Sequence, residues 1–303
     1  ISEVELMRIG VTGASGMLGS ALINELIDEH KVFATSRTKG HVKTGVEWEC
    51  FDLTNSQYLN QWMVDISPDM IIHCAAIVDV DACEDNIELA KKLHIDSTKT
   101  MVNYLNSNNK RLIYISTDSV FDGKKDGLYN ESDKANPLNV YSETKFLGEL
   151  PVLTMKNGLV LRTNIIGWTR SGDMSFSEWV LDGLIKGNPL SLFDDVIFSP
   201  LNVIDLSKII RQIIDNEIYG LYHCASKDSI SKYDFGIKMA EIFNLSIDNI
   251  KKISFKDIKL KANRPKNMAL NSNKLSSILP HEFPIVVDAI KIMKNQYDNG
   301  YVL

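Results

Sequence analysis

The stretch YSETK, residues 141–145, sets a phenol and an ammonium four residues apart, on one face of any helix that carries them. A tyrosine with a pKa of about 10 is a poor acid–base group near neutrality. A nearby ammonium favours the phenolate and lowers that value. Alone, the pair is more often a solvated tyrosine beside a solvated lysine. The rest of the chain supplies a reason to read it as chemistry. Ahead of Tyr141 stands YISTDSVFDG, with Ser116, Thr117 and Asp118 at the end of an apolar run. If that run is a strand of an open parallel sheet, those three side chains lie where ligands bind, beyond the carboxyl ends of the strands. A hydroxyl, a phenol and a lysine converging on one ketone make a reductase site.

A reductase of this kind needs a hydride carrier, and GVTGASGMLGS has the spacing to hold one. Gly13, Gly16 and Gly19 form G-x-x-G-x-x-G between a predicted strand and a predicted helix. Glycines there permit a tight turn and let the backbone N–H groups of Ser15, Gly16, Met17 and Leu18 approach a pyrophosphate at a helix N-terminus. The end of the second predicted strand, FATSRTKG, offers Ser36 and Arg37 where an NAD site usually carries an acid. An arginine there suits the 2′-phosphate of NADP, with NAD as the alternative and a solvated basic loop as the bland reading. Asp52 and Leu53 end a third strand, where an adenine could be gripped. Cys74, Ala75 and Ala76 end a fourth, where small residues would let the cofactor pass.

The elements that must position these residues follow from periodicity. RIGVTG, KVFATS, VEWECFDL, DMIIHCAA and RLIYISTD are short apolar runs. They alternate with helical patterns in MLGSALINELIDEH, YLNQWMVDI and AKKLHIDSTKTMVNYLNSN, a βαβ arrangement that implies a parallel sheet. The helix carrying Tyr141 is expected to open at Asn136 and Pro137. GLVLRTNIIG, residues 158–167, reads as one further buried strand. SFSEWVLDGLIKG and SKYDFGIKMAEIFN read as helices, with PLSLF as a short strand between them. The fold expected is α/β: a Rossmann-type, doubly wound parallel sheet with a smaller C-terminal α/β substrate lobe. Residues 1–167 would form the cofactor domain, rejoined by about 200–224, and 168–303 mainly the lobe.

Composition limits the partners. The 303 residues are 44% hydrophobic and 24% charged, with a net charge of −6 and no basic block. Nucleic acid is therefore a poor partner. No apolar run approaches the roughly 20 residues of a membrane span. ISEVELMRIG has no basic region before an apolar core and is read as no signal peptide. Cys50, Cys74, Cys83 and Cys224 form no C-x-x-C pair and are expected to be buried, reduced thiols of a cytoplasmic protein.

The ordered set GASGMLG, CAA, STD and YSETK, followed by Gly148 and Glu149, resembles the extended short-chain dehydrogenase/reductase superfamily. Within it, VDACE (80–84), STDSVFDG, RTNIIG and RPKNMALNSNKL (264–275) are similar to the dTDP-4-dehydrorhamnose reductase family. The resemblance spans about residues 7–295. It implies that Tyr141 protonates a ketone oxygen while NADPH delivers hydride, in making precursors of cell-surface polysaccharide. It further implies that Lys145 holds the nicotinamide ribose and tunes Tyr141, which also borders the cofactor, and that Thr117 hydrogen-bonds the carbonyl. Val80, Asp118 and Arg264 would contact a nucleotide-linked deoxysugar. A C-terminal surface arginine is the other reading of Arg264. Ser119 stands where the family commonly has tyrosine, and Ala82 where some relatives carry lysine; both departures leave the sugar open. No acids match the magnesium site of some relatives, so no metal is expected. The protein would be a monomer or a homodimer. Two other classes share this pattern: nucleotide-sugar epimerases or dehydratases, and a non-catalytic subunit resembling the regulatory subunit of methionine adenosyltransferase.

Overall fold

The computed structural model describes residues 6–40, 44–170, 174–258, 261–280 and 282–300. In chain order the first elements are β1 (Arg8–Thr12), α1 (Met17–Leu26), β2 (Lys31–Ser36), β3 (Glu47–Cys50), α2 (Ser56–Ile66), β4 (Met70–His73), α3 (Val80–Asp85), α4 (Ile87–Lys91), α5 (Ser97–Ser107), β5 (Arg111–Thr117), α6 (Val140–Leu153) and β6 (Gly158–Thr163). There follow β7 (Ile165–Ile166), α7 (Phe176–Lys186), β8 (Leu190–Phe193), β9 (Ile197–Phe198), β10 (Leu201–Asn202), α8 (Val203–Asp215), β11 (Gly220–Cys224), β12 (Ile230–Ser231), α9 (Lys232–Phe243), β13 (Ile250–Ile253), α10 (Asn273–Ser276) and α11 (Val286–Asp298).

Seven strands form one sheet in the order β11-β6-β5-β4-β1-β2-β3. The ladders β1–β2, β1–β4, β2–β3 and β4–β5 are parallel. Strand order reverses between β1 and β4, as in a Rossmann-type doubly wound sheet, and the crevice beyond that switch point is where such sheets take ligands. The central strands are buried on both faces, which explains their unbroken apolar runs. Chain contacts divide the protein into two units. The first takes Ile1–Thr117, Asn139–Arg162 and Ser207–Tyr222; the second takes Asp118–Leu138, Thr163–Leu206 and His223–Leu303. In the first, Trp62, Met63, Ile71, Leu112 and Val160 belong to one buried cluster. In the second, α7, α9 and α11 enclose Phe198, Phe235, Leu181, Ile290 and Met293, with short ladders β8–β13, β7–β10 and β9–β12.

Local structure departs from the sequence-based expectation at four places. The helix carrying Tyr141 starts at Val140, not at Pro137. Asn139 is its cap, accepting the Ser142 N–H at 2.9 Å, while the Asn136 amide donates to Asp122. With the Asn136 side chain engaged by Asp122, residues 137–139 carry no helix and Asn139 supplies the cap instead. The segment AKKLHIDSTKTMVNYLNSN is broken by a π-helical turn, Lys92–Asp96, between α4 and α5. The run at 158–167 splits after Thr163: β6 joins the seven-stranded sheet, whereas β7 pairs with β10. Cys50 is exposed because β3 is the sheet edge; Cys83 and Cys224 are buried, Cys74 is half-buried, and all four are free thiols.

Candidate active site

The glycine loop lies at the switch point. Gly13 has φ +64°, a left-handed conformation, and a Cβ there would come within 2.7 Å of the Ala75 backbone and 2.9 Å of Cys74. The loop after β1 and the loop after β4 therefore close on each other with no room for a side chain. A Cβ on Gly19 would meet the Gly13 carbonyl oxygen at 2.3 Å, so α1 must start hard against the turn. Gly16 caps α1 in extended conformation with no side chain over the first N–H groups. Ser15, Met17 and Leu18 follow the same turn. A backbone cradle open at a helix N-terminus fits the pyrophosphate of a dinucleotide.

At the end of β2, Arg37 is exposed, and the Ser36 hydroxyl is turned inward, donating to the Thr38 carbonyl at 2.6 Å. Asp52 uses Oδ1 to accept both the Thr54 N–H and the Thr54 hydroxyl, an Asx-type turn that shapes the loop before α2. Leu53 is buried beside it. Burial raises the Cys74 thiol to about 12, opposed by the Lys145 charge, so Cys74 is an inert thiol.

Thr117 ends β5, and Tyr141 and Lys145 stand one turn apart on α6. Lys145 is only 3% exposed. Its ammonium donates to the Ile115 carbonyl at 2.6 Å and lies 4.1 Å from the centroid of the Tyr114 ring. Burial lowers its pKa to about 7, with Glu149 and Cys74 opposing. One further turn along the same face, Glu149 is fully buried. It accepts two hydrogen bonds from the Arg162 guanidinium, at 2.9 and 2.6 Å, and one from the Ser116 hydroxyl at 2.5 Å. Tyr141, Lys145 and Glu149 thus form an i, i+4, i+8 line with its deep end anchored to β5 and β6. The N-terminus of α6 is anchored too: the Val140 N–H donates to Glu84 of α3 at 2.9 Å. Glu84 is the last residue of VDACE, so that motif holds the first N–H of the helix that carries Tyr141. Val80 is half-buried at the start of the same α3.

Asp118 and Arg264 fall in the second unit. Asp118 is 1% exposed and accepts from the Asn164 amide at 2.7 Å and from the Ser119 hydroxyl at 3.2 Å. Ser119 also reaches the Met268 sulfur at 3.6 Å. Arg264 is exposed. Both Asp118 and Arg264 act on Lys232 of α9, whose ammonium sits 3.8 and 3.4 Å from the Phe176 and Phe198 ring centroids. Burial lowers Lys232 to about 7, Asp118 opposes this and Arg264 adds to it.

His94 and His73 were not singled out from the sequence, and Glu149 and Arg162 stood there only as members of the GE and RTNIIG motifs, not as a pair. His73, at the end of β4, shares a 2.7 Å hydrogen bond with Thr12 and is kept neutral by burial and by the Lys145 charge. A signal for the ion pair was present. Arg162 interrupts the apolar run GLVLRT, and an arginine buried in a central strand requires a carboxylate.

A family model described as RmlD substrate binding domain matches residues 7–298. The chain is 27% identical over 294 residues to the probable low-salt glycan biosynthesis reductase Agl14 of Haloferax volcanii, covering 95% of this chain and 98% of that one. It is 30% identical to methionine adenosyltransferase 2 subunit beta of Pongo abelii, over 89% of this chain and 82% of that one. Among solved structures, dTDP-4-dehydrorhamnose reductase of Bacillus anthracis in complex with NADP superposes with a TM-score of 0.85 at 27% identity, covering 96% of this chain and 99% of that one.

Proposed function

As a member of the RmlD substrate binding domain family, the chain is, we propose, an NADPH-dependent reductase of a 4-keto group on a nucleotide-linked deoxysugar. The observation that carries this reading is the α6 face, where a buried ammonium lies one turn below Tyr141 at the carboxyl end of the sheet. NADPH in the glycine cradle would supply the hydride. Tyr141 gives its phenolic proton to the ketone oxygen as charge develops there. Lys145 stabilises the resulting phenolate and holds the nicotinamide ribose, and Thr117 donates a hydrogen bond to the same carbonyl. Asp118 and Arg264 contribute to recognition of the sugar nucleotide. Asp118 is followed by Ser119, whose hydroxyl is too weak a base to abstract a carbon-bound proton as an elimination requires, so net reduction is favoured over dehydration.

The test is NADPH oxidation against nucleotide-linked 4-keto-6-deoxyhexoses, the dTDP-linked one first. One NADPH should be consumed per sugar reduced, and an intact nucleotide hexose should give no keto product. Accumulation of a 4-keto-6-deoxy product without net cofactor oxidation would replace this reading by a dehydratase. The similarity to methionine adenosyltransferase subunit beta supports a second reading, a non-catalytic partner subunit, which predicts no turnover of any keto sugar.

Two further results are expected. Arg37→Asp should weaken NADPH binding far more than NADH binding, since it exchanges a phosphate partner for a repelling charge; fluorescence titration of both nucleotides decides, and equal losses would leave Arg37 a solvated loop residue. The second concerns pH. Lys145 carries its charge below about 7 and loses it above. Reduction needs the charged form, so kcat/KM should hold at acid pH and fall as pH rises through about 7. The same group makes the fold more stable as pH rises from about 7, because the unfolded lysine keeps its proton to about 10.4. A kcat/KM profile flat from pH 6 to 9 (roughly the range that brackets this limb) would count against the assignment.

A further inference from the structure

The imidazole of His94 is buried between the loop after β4 and α6, both within the first unit. Its Nε2 lies 2.9 Å from the Ile77 backbone N–H, which can only donate. Nε2 is therefore the acceptor, and the proton of a neutral ring sits on Nδ1. Nδ1 is 2.8 Å from the Thr144 hydroxyl and donates to it. The Thr144 hydroxyl in turn donates to the carbonyls of Val140, at 2.8 Å, and Tyr141, at 3.1 Å. A single directed chain thus runs from Ile77, directly after Cys74-Ala75-Ala76, to the main chain of Tyr141. The side chains meet as well: the His94 and Tyr141 rings lie edge to face, with centroids 6.0 Å apart.

The backbone around His94 is specialised for this contact. His94 lies in the π-helical turn Lys92–Asp96, a rare conformation that frequently marks functional sites. Its carbonyl accepts from the Thr98 hydroxyl at 2.8 Å. A Cβ on Gly148 of α6 would come within 2.4 Å of that same carbonyl oxygen and of the Tyr114 hydroxyl. The turn and α6 are therefore in direct contact at Gly148, about two turns along the same helix face from Tyr141. Protonated His94 would set two donors against each other at Ile77, and burial with the nearby Lys145 charge lowers its pKa to about 3.

We propose that His94 is a positioning residue for Tyr141: its neutral imidazole locks the start of α6 to the loop that follows β4, and so fixes the phenol against the cofactor cradle. It exchanges no proton with substrate. The inference rests on the reading of Tyr141 as proton donor.

Two substitutions test it. His94→Phe keeps a ring beside Tyr141 and removes both hydrogen bonds. His94→Gln offers one amide acceptor and one amide donor, and restores them. With NADPH and the dTDP-linked 4-keto probe, His94→Phe should lose up to on the order of 10²-fold in kcat, the cost of misplacing a reacting group by about 1 Å. The NADPH dissociation constant should be unchanged, and His94→Gln should recover most of the loss. Equal losses in the two variants, or a loss confined to NADPH binding, overturn the proposal. Where His94→Phe does not fold, Thr144→Val breaks the chain at its next link, and an unchanged kcat there overturns it. If the wild-type protein reduces no keto sugar, the proposed function fails separately. The positioning role is then read from the ¹³C-labelled Tyr141 ring signal: it should move in His94→Phe and return in His94→Gln, and a signal unmoved in His94→Phe overturns the proposal.

Discussion

Tyr141→Phe is expected to lower kcat by about 10²–10⁴-fold, the usual range for a general acid, while NADPH still binds. Phenylalanine keeps the ring that packs edge-on against His94. It also leaves the cap of α6 untouched, because Asn139 and Glu84 bond to the backbone N–H groups of Ser142 and Val140. On the proposed reading the substitution removes the proton given to the developing alkoxide, so the loss belongs in kcat and not in cofactor affinity. Stopped-flow reduction with saturating NADPH, alongside a fluorescence titration of the cofactor, separates the two. A variant retaining more than half of wild-type kcat would show that Tyr141 is not the acid (half is roughly 0.4 kcal/mol of barrier, far below a general acid's share).

Glu149→Ala should be the most damaging substitution for stability, at about 3–5 kcal/mol, the range for breaking a buried ion pair from one side. The carboxylate is fully buried and answers the Arg162 guanidinium through two hydrogen bonds, with Ser116 completing it. Removing it leaves a 3%-exposed arginine without that counter-charge on β6, one strand in from the sheet edge. It also deletes the charge that opposes the lowering of the Lys145 pKa, so the alkaline limb of the activity profile should move further towards acid in Glu149→Gln, which keeps the volume. Urea denaturation measures the first effect. A loss below about 1 kcal/mol, typical of an exposed pair, would contradict it.

The glycine cradle and the YSETK face were legible because their chemistry depends on spacing along one short segment. Gly13, Gly16 and Gly19 act within one turn, and Tyr141 and Lys145 within one helix. His94 was not legible because its partners, Ile77 and Thr144, are 17 and 50 residues away. A π turn also leaves a helical apolar pattern nearly intact, so periodicity alone does not show it. Asn136 was taken for the cap over Asn139 because a following proline is a familiar helix opening; the three-residue difference depends on which asparagine oxygen meets the Ser142 N–H. Arg162 is the reverse case. Its presence in an apolar strand announced a buried partner, but nothing local identified Glu149, 13 residues back on a different element.

The order of strands in the large sheet bears on how the chain is made. β11 is the outermost neighbour of β6, yet residues 164–219 separate the two. On the ribosome, synthesis runs from N- to C-terminus, and domains fold as units. β6 therefore emerges with one hydrogen-bonding edge open and keeps it open until residues 220–224 have left the exit tunnel. An open, apolar strand edge is a template for pairing with another chain. The nascent protein passes through a stage of exposure to self-association that the finished sheet does not have, and a product cut short ahead of Gly220 would stay in that stage.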